Sequence, residues 1–474
     1  MAPHARVRRL ARLILAIDQG TTGTTCLVVD DELQVLGRGY RELPQSFPRP
    51  GWVEHDPDEI WLGVEQAAEA ALAAAGIRAS ELEAIGITNQ RETTLLWERS
   101  SGRPVAPAIV WQDRRTAERC RELDAELIRD RTGLVPDPYF SATKLEWLLR
   151  EHGRPGLAFG TVDAWLVWKL SGGEVHATDR TNASRTLLCS LATLDWDDEL
   201  LELFGVDRSL LPTIVPSRGQ VADGLLLGAR VPVRGIAGDQ QAALFGQGCR
   251  RPGEAKVTYG TGSFVLVHAG DDASAPPHGL LKTAAADGYA VEGAVLVSGA
   301  ALQWLRDGLG LIADAAESDS LARSVSSTEG VAFVPALTGL GSPWWDPDAR
   351  GLIAGITRGT TRAHLVRAAL EAIAHQVADV VDALPLPPAL LRADGGAAAN
   401  GFLMQFQADL LGLPVEVAVE RETTALGAAA LAAGRDVQVA VGDVYEPRIG
   451  RDEAAELRRG WALALRRAQS ERET

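Results

Sequence analysis

Asp239 stands at an abrupt change of pattern. Gly235-Ile236-Ala237-Gly238 reads as a strand, and a helix of small residues (Ala242, Ala243, Gly246) begins at once after it. A carboxylate at such a junction faces whatever lies beyond the strand end, where it could take the proton of an attacking hydroxyl. Help of that kind is worth roughly 10²–10⁴ in rate. Asp is equally suited to capping a helix that starts at Gln240. Arg91-Glu92 follows another apolar run, Ala84 to Thr88, and sets a cation beside an anion. The pair could orient the hydroxyls of a small neutral polyol, or be a surface ion pair. Trp111, Tyr139 and Phe264 could pack against the carbons of such a molecule, although aromatic side chains fill cores just as readily.

A second kind of chemistry is written in two turns. Leu13 to Asp18 is an apolar run ending in a carboxylate; Gln19-Gly20-Thr21-Thr22-Gly23-Thr24-Thr25 follows, then the apolar Cys26 to Val29. The glycines permit conformations that point N–H groups into one concavity, and the threonines add hydroxyl donors, a surface suited to phosphate. Asp18 could hold a metal ion beside it. Any hairpin needs such turn residues, but Lys256 to Val267 repeats the plan around Gly260-Thr261-Gly262. Two related turns half a chain apart imply two related domains, and together they could clamp a polyphosphate.

The elements that must position these residues are those of an α/β protein given twice. Helices are expected at about Pro57 to Ala75, Thr116 to Arg131, Thr143 to His152 and Thr161 to Leu170. The longest runs from Thr361 to Leu384, with Val366, Leu370, Ile373, Val377 and Val380 on one buried face. Gly395-Gly396, at another strand-to-helix turn, would let a base or ribose lie on the backbone, or merely make the turn tight. Gly427 with Ala428 to Ala430 suits close helix packing. Gly248 to Gly253 reads as the domain junction, which gives lobes of 12–248 and 249–474 behind a disordered basic extension, 1–11.

With 474 residues, the chain can bury two or three cores, and its formal charge of −16 argues against nucleic acid. No apolar run approaches a membrane span. Cys26, Cys120, Cys189 and Cys249 have no paired spacing, so a reducing cytoplasm is the simpler compartment. None of the few lysines (Lys144, Lys169, Lys256, Lys282) follows a glycine, which excludes the Gly-Lys-Ser/Thr phosphate loop.

Longer strings carry a resemblance. Asp18-Gln19-Gly20-Thr21-Thr22, Gly51-Trp52-Val53-Glu54-His55-Asp56-Pro57, Thr88-Asn89-Gln90-Arg91-Glu92-Thr93-Thr94, Asp137-Pro138-Tyr139-Phe140, Thr181-Asn182-Ala183-Ser184-Arg185-Thr186 and Gly238-Asp239-Gln240-Gln241 are similar to those of the glycerol kinases. So are Tyr259-Gly260-Thr261-Gly262, Gln303-Trp304-Leu305-Arg306-Asp307 and Asn400 to Gln407, within a match spanning about Leu13 to Trp461.

That resemblance implies the actin-like (ribonuclease H-like) fold of two similar lobes, with ATP and substrate in the cleft between them. It implies that glycerol is phosphorylated to sn-glycerol 3-phosphate. Arg91, Glu92, Tyr139, Asp239 and Gln240 would bind glycerol hydroxyls, Trp111 and Phe264 would sandwich its carbons, and Asp239 would be the base. Thr21, Thr22, Thr261, Gly299, Gln303, Gly396 and Asn400 would bind ATP, and Asp18 with Asp239 would sit near Mg²⁺. Relatives that form dimers and tetramers imply a homo-oligomer. A kinase for another polyol or ketose, or a catalytically silent nucleotide-gated regulator, are the alternatives on the same fold. Two departures stand out: Thr25 occupies a position where most glycerol kinases carry a phosphate-facing arginine, and Leu225 to Arg230 keeps only Gly228 and Arg230 of a loop that binds a sugar bisphosphate in some relatives.

Overall fold

The computed structural model describes residues 12–470, so the expected extension 1–11 lies outside the described residues. The chain forms two compact units. The first runs to Gly248 and also takes Thr283–Asp287 and Thr424–Val437; the second holds Cys249–Lys282, Gly288–Thr423 and Gln438–Thr474. The last two segments of the first unit fall inside the span expected for the second lobe, and burial explains one of them. The first unit's sheet has two apolar faces, and the helix Thr423–Ala433 covers one, with Ala425, Leu426, Ala429 and Ala432 against Ile14, Ala16, Leu27 and Ala84.

In the first unit six strands, β1 (Leu13–Gln19), β2 (Gly23–Val29), β3 (Val35–Glu42), β4 (Leu82–Asn89), β5 (Arg218–Leu226) and β6 (Ala229–Gly238), form one sheet in the order β5-β6-β4-β1-β2-β3. β4 is parallel to both β1 and β6, while β1 and β2 make the expected antiparallel hairpin. Side chains alternate along each strand. Leu15, Ile17, Val28, Ile85 and Ile87 thus meet the helices Pro57–Ala75 and Val162–Leu170 on the face away from Ala425. The helix Thr423–Ala433 lies so close that a Cβ on Gly86 would come 2.2 Å from the Ala428 carbonyl oxygen, and one on Gly427 1.9 Å from that of Ala242. Close packing is what Gly427 does.

Instead of one helix over 116–131 there are two, Ala117–Arg121 and Ala125–Thr132. Asp124 divides them, because its carboxylate accepts from the N–H groups of Glu126 and Leu127 and so starts a new helix.

The second unit repeats the plan with β7 (Ala255–Tyr259), β8 (Ser263–Gly270), β9 (Leu281–Ala284, of which Leu281 and Lys282 fall in this unit), β10 (Tyr289–Val295), β11 (Leu391–Asp394), β12 (Val415–Ala418) and β13 (Val441–Tyr445), ordered β9-β10-β8-β7-β11-β12-β13. An antiparallel hairpin, β7-β8, again lies beside a parallel strand, β11. The long helix Arg362–Asp382 buries Val366, Leu370, Ile373, Val377 and Val380 against this sheet.

Candidate functional site

Each hairpin turn is closed by a backbone bond from its first glycine, across three residues in the first and two in the second. Gly20 N–H donates to the Gly23 carbonyl at 2.9 Å, and Gly260 N–H to that of Gly262 at 2.8 Å. None of these four glycines has a positive φ, so left-handed backbone is not what calls for glycine here. Closeness is the reason at two of them. A Cβ on Gly23 would lie 2.5 Å from the Tyr40 hydroxyl, and one on Gly262 2.5 Å from the Val295 carbonyl oxygen. Thr22 is exposed at the first turn and Thr261 at the second, with Thr21 half-buried.

In the first unit the strand ends of β4 and β6 lie side by side, Asn89 paired with Gly238. Arg91 and Glu92, just past β4, are buried, which rejects the surface ion pair. Arg91 reaches carboxylate, amide and phenol partners. Its Nε lies 3.1 Å from Asp239 Oδ1 and 3.8 Å from Glu92 Oε1, and its terminal nitrogens donate to Gln241 Oε1 and to the Tyr139 hydroxyl, each at 3.2 Å. Glu92 sits at φ 63, a left-handed conformation unusual for a non-glycine residue. Its carboxylate also accepts from Arg185 Nε at 2.6 Å.

Asp239 opens the helix Asp239–Gly246, and its Oδ1 accepts from the Gln240 N–H at 2.7 Å. The expected helix start at Gln240 is one residue late: Gly238 is the N-cap, without a side-chain cap bond, and Asp239 is the first helical residue. Its side chain keeps 29% of its surface exposed, against 2% for Arg91 and Glu92. Trp111 donates through its indole N–H to Thr21 Oγ1 at 2.9 Å, and its ring lies edge-on to Tyr139 with centroids 5.5 Å apart. The first turn and the Arg91–Asp239 cluster are therefore joined through Trp111 and Tyr139. Asp18 pairs with Thr88 on one side of β4, level with Ala237 on the other, so its carboxylate and that of Asp239 stand at the same end of the sheet.

The second unit holds a cavity of about 560 Å³, a usual size for a small-molecule site. It is lined by Thr261, Gly299, Gln303, Gly396 and Asn400, all five of the second-unit residues expected at a nucleotide. Gly395 and Gly396 divide the two roles left open for them. Gly395 has φ 86, and a Cβ there would strike the Tyr259 carbonyl oxygen at 2.5 Å; Gly396 has nothing within 4 Å of its Cβ position and faces the cavity. Asn400 caps the helix Gly401–Leu411 by accepting from the Leu403 N–H at 2.9 Å. Phe264 lies on β8 opposite Ala294 and is buried.

Both halves of the chain match one family, the FGGY family of carbohydrate kinases, its N-terminal domain over residues 13–246 and its C-terminal domain over 255–434. The chain belongs to that family. A glycerol kinase of Alkalilimnicola ehrlichii is 50% identical, covering 96% of this chain and 98% of the relative. One from Deinococcus radiodurans is 51% identical, covering 96% and 97%. Among solved structures, Plasmodium falciparum glycerol kinase with ADP superposes with a TM-score of 0.85 at 32% identity, covering 98% of this chain and 99% of that one. A xylulose kinase from Rhodospirillum rubrum gives 0.82 at 26% identity, over 95% and 98%. The fold is thus the actin-like fold of this kinase family.

For this FGGY kinase, sequence reasoning missed Arg185 and Gln241 as members of the cluster. No local pattern reveals that Arg185 reaches a carboxylate 93 positions away. Ala315, Ala316 and Asp319 in the cavity wall were missed as well, since they lie on and before a short, polar helix, Glu317–Arg323. No group of three or more His, Cys, Asp or Glu placed to hold a metal occurs among the described residues. Among them, too, no helix is long and apolar enough to cross a membrane.

Proposed function

We propose that the chain transfers the γ-phosphoryl group of ATP to a terminal hydroxyl of glycerol, giving sn-glycerol 3-phosphate and ADP. The observation that carries this is the cluster of buried Arg91, Glu92 and Tyr139 with the partly exposed Asp239, in a chain about half of whose residues are shared with named glycerol kinases. Arg91, Glu92, Tyr139 and Gln240 would hold hydroxyls, and Trp111 with Phe264 would pack on the carbons. The Asp239 carboxylate would accept the proton of the attacking hydroxyl as its oxygen bonds to the γ-phosphorus and the bond to the β–γ bridging oxygen breaks. Positioning and charge stabilisation dominate such reactions.

Thr21 and Thr22 would contact phosphates, and Thr261, Gly299, Gln303, Gly396 and Asn400 the rest of the nucleotide. A magnesium ion suits the donors present. Two carboxylates, Asp18 and Asp239, at one sheet end match an ion that keeps waters and takes its other ligands from substrate phosphates. When bound it would neutralise phosphate charge. The four cysteines are buried and unbridged, which accords with a cytoplasmic setting. A homo-oligomer belongs to the same reading and is tested by sedimentation.

The test is ADP release in a coupled assay with glycerol, erythritol, xylulose, ribulose and 1,2-propanediol. Glycerol should give the highest kcat/KM. Its six or so heavy atoms, at a ceiling of about 1.5 kcal/mol each, limit binding to about micromolar. Loss of one hydroxyl should be severe, because it leaves a buried polar partner unsatisfied. Turnover confined to another polyol, or equal kcat/KM for glycerol and 1,2-propanediol, would reject the assignment.

A further inference from the structure

Behind the cluster, and taking no part in the reaction as assigned, lies a fully buried carboxylate, Asp179. It caps the one-turn helix Arg180–Ala183, accepting from the N–H groups of Thr181 and Asn182 at 3.1 and 3.0 Å. Capping accounts for those two bonds only. Asp179 also accepts from Ser217 Oγ at 2.6 Å, from Asn182 Nδ2 at 2.9 Å and from Thr181 Oγ1 at 2.8 Å. With its proton so committed, Thr181 Oγ1 turns its lone pair outward and accepts the N–H of Gly238 at 2.8 Å. Gly238 is the residue that carries Asp239. The other arm reaches β4. Asn182 and Asn89 exchange side-chain amide hydrogen bonds at 3.0 and 3.1 Å, and Asn89 Nδ2 also donates to the Gln90 carbonyl at 2.8 Å. Gln90 is the residue before Arg91.

We propose that Asp179 is a positioning residue of the phosphoryl-transfer site: through Thr181 and Asn182 it fixes the ends of β6 and β4 relative to each other, and with them the approach of Asp239 to the substrate hydroxyl beside Arg91. The proposal rests on the glycerol-kinase reading above. An amide N–H at a strand end is free to rock unless it has a partner, and here the partner's orientation is dictated by a carboxylate with no freedom of its own. Displacements of about 1 Å at a reacting group can cost on the order of 10²-fold in rate. Removing the Thr181 hydroxyl should therefore act on kcat and leave the second unit's nucleotide cavity as it is.

The experiment compares wild type, Thr181→Val and Thr181→Ser by steady-state kinetics with glycerol and ATP, by ADP binding and by thermal melting. Thr181→Val keeps the shape and removes the hydroxyl; its kcat should fall at least about tenfold, with ADP affinity within about twofold of wild type. Thr181→Ser restores the hydroxyl and should bring kcat back to within about threefold. Equal damage in both variants would mean packing, not the hydrogen bond, and would overturn the proposal. So would a wild-type kcat in Thr181→Val. If Thr181→Val does not fold, Asp179→Asn is read the same way: it keeps the volume but replaces one acceptor oxygen by a donor, and an unchanged kcat there overturns the proposal. Absence of turnover in the wild type itself would instead reject the glycerol-kinase reading, so the two failures are distinguishable.

Discussion

Arg91 Nε and Asp239 Oδ1 are 3.1 Å apart, a charge-assisted contact between a buried guanidinium and a partly exposed carboxylate. The Gln240 N–H shares the same oxygen. Two donors on one oxygen hold that oxygen in place. Asp239→Asn keeps the size and an acceptor oxygen but cannot take a proton. Its kcat should fall by about 10² or more, with a much smaller change in KM for glycerol. Near-normal turnover would leave Asp239 only its contacts to Arg91 and the Gln240 N–H.

Why was this part of the site legible in the sequence? Asp239, Arg91 and the two turns are each marked by what happens within a few residues, where a strand stops and polar residues begin. The same holds for the long helix Arg362–Asp382, whose buried face is periodic. What escaped depends on chain reversal at long range. Arg185 is polar sequence until the fold brings it to Glu92, and Thr423–Ala433 is an apolar helix with no sign of which sheet it covers. At Gly23 and Gly262 the close approach of Tyr40 and Val295 is a further reason for glycine, one that cannot be seen from a turn pattern.

Gly299 opens the helix Gly299–Asp307 at the cavity wall, its N–H donating to the Gly260 carbonyl at 3.0 Å. A Cβ there would lie 2.6 Å from that carbonyl oxygen, and backbone, not a mobile side-chain tip, would have to give way. Gly299→Ala should therefore push the second turn and the helix apart. ADP binding, measured by calorimetry, is expected to weaken about tenfold, equivalent to about 1.4 kcal/mol. Unchanged affinity would show that the nucleotide does not depend on this contact.

Acid should destabilise the fold through its histidines. Burial holds His55 and His176 down to about 4, and His375 well below the ordinary value of 6.5. Between those values the unfolded chain binds protons that the folded chain refuses. Stability is then fully present above about pH 6.5 and is lost as pH falls through this window, by up to about 3 kcal/mol for a shift from 6.5 to 4. Asp163 opposes the trend, since burial first and the nearby Asp179 charge second raise its carboxyl to about 6. There the folded state holds the extra proton, so that contribution falls as pH rises from about 3.8 to 6. His176→Gln can still donate to the Phe159 carbonyl, as the Nε2 of His176 does at 2.7 Å. Its melting temperature should decline less steeply than wild type's between pH 6.5 and 4.5. Parallel curves would exclude His176 as a source of the acid lability.

Thr25 pairs with Asp18 on one side and with Tyr40 on the other, two residues into β2 from the first turn, and is nearly buried. Alternation along β2 places its side chain on the face of Leu27, the same face as Asp18. On the reading proposed here an arginine at this position would extend toward the ATP phosphates, where a well-aligned charged contact is worth about 1.5–3 kcal/mol against one neutral hydroxyl. Thr25→Arg should then tighten ATP by at least about tenfold, and ADP by less if the contact is to the terminal phosphates. A competing effect is built into the same geometry. The new guanidinium starts beside the Asp18 carboxylate, and if it pairs there it neutralises a charge assigned to magnesium and gains no phosphate. Dissociation constants for ATP and ADP, each measured with and without magnesium, separate the two. Tighter ATP in both conditions supports the missing phosphate contact, whereas unchanged or weaker ATP binding with a diminished response to magnesium shows that Asp18 has captured the arginine.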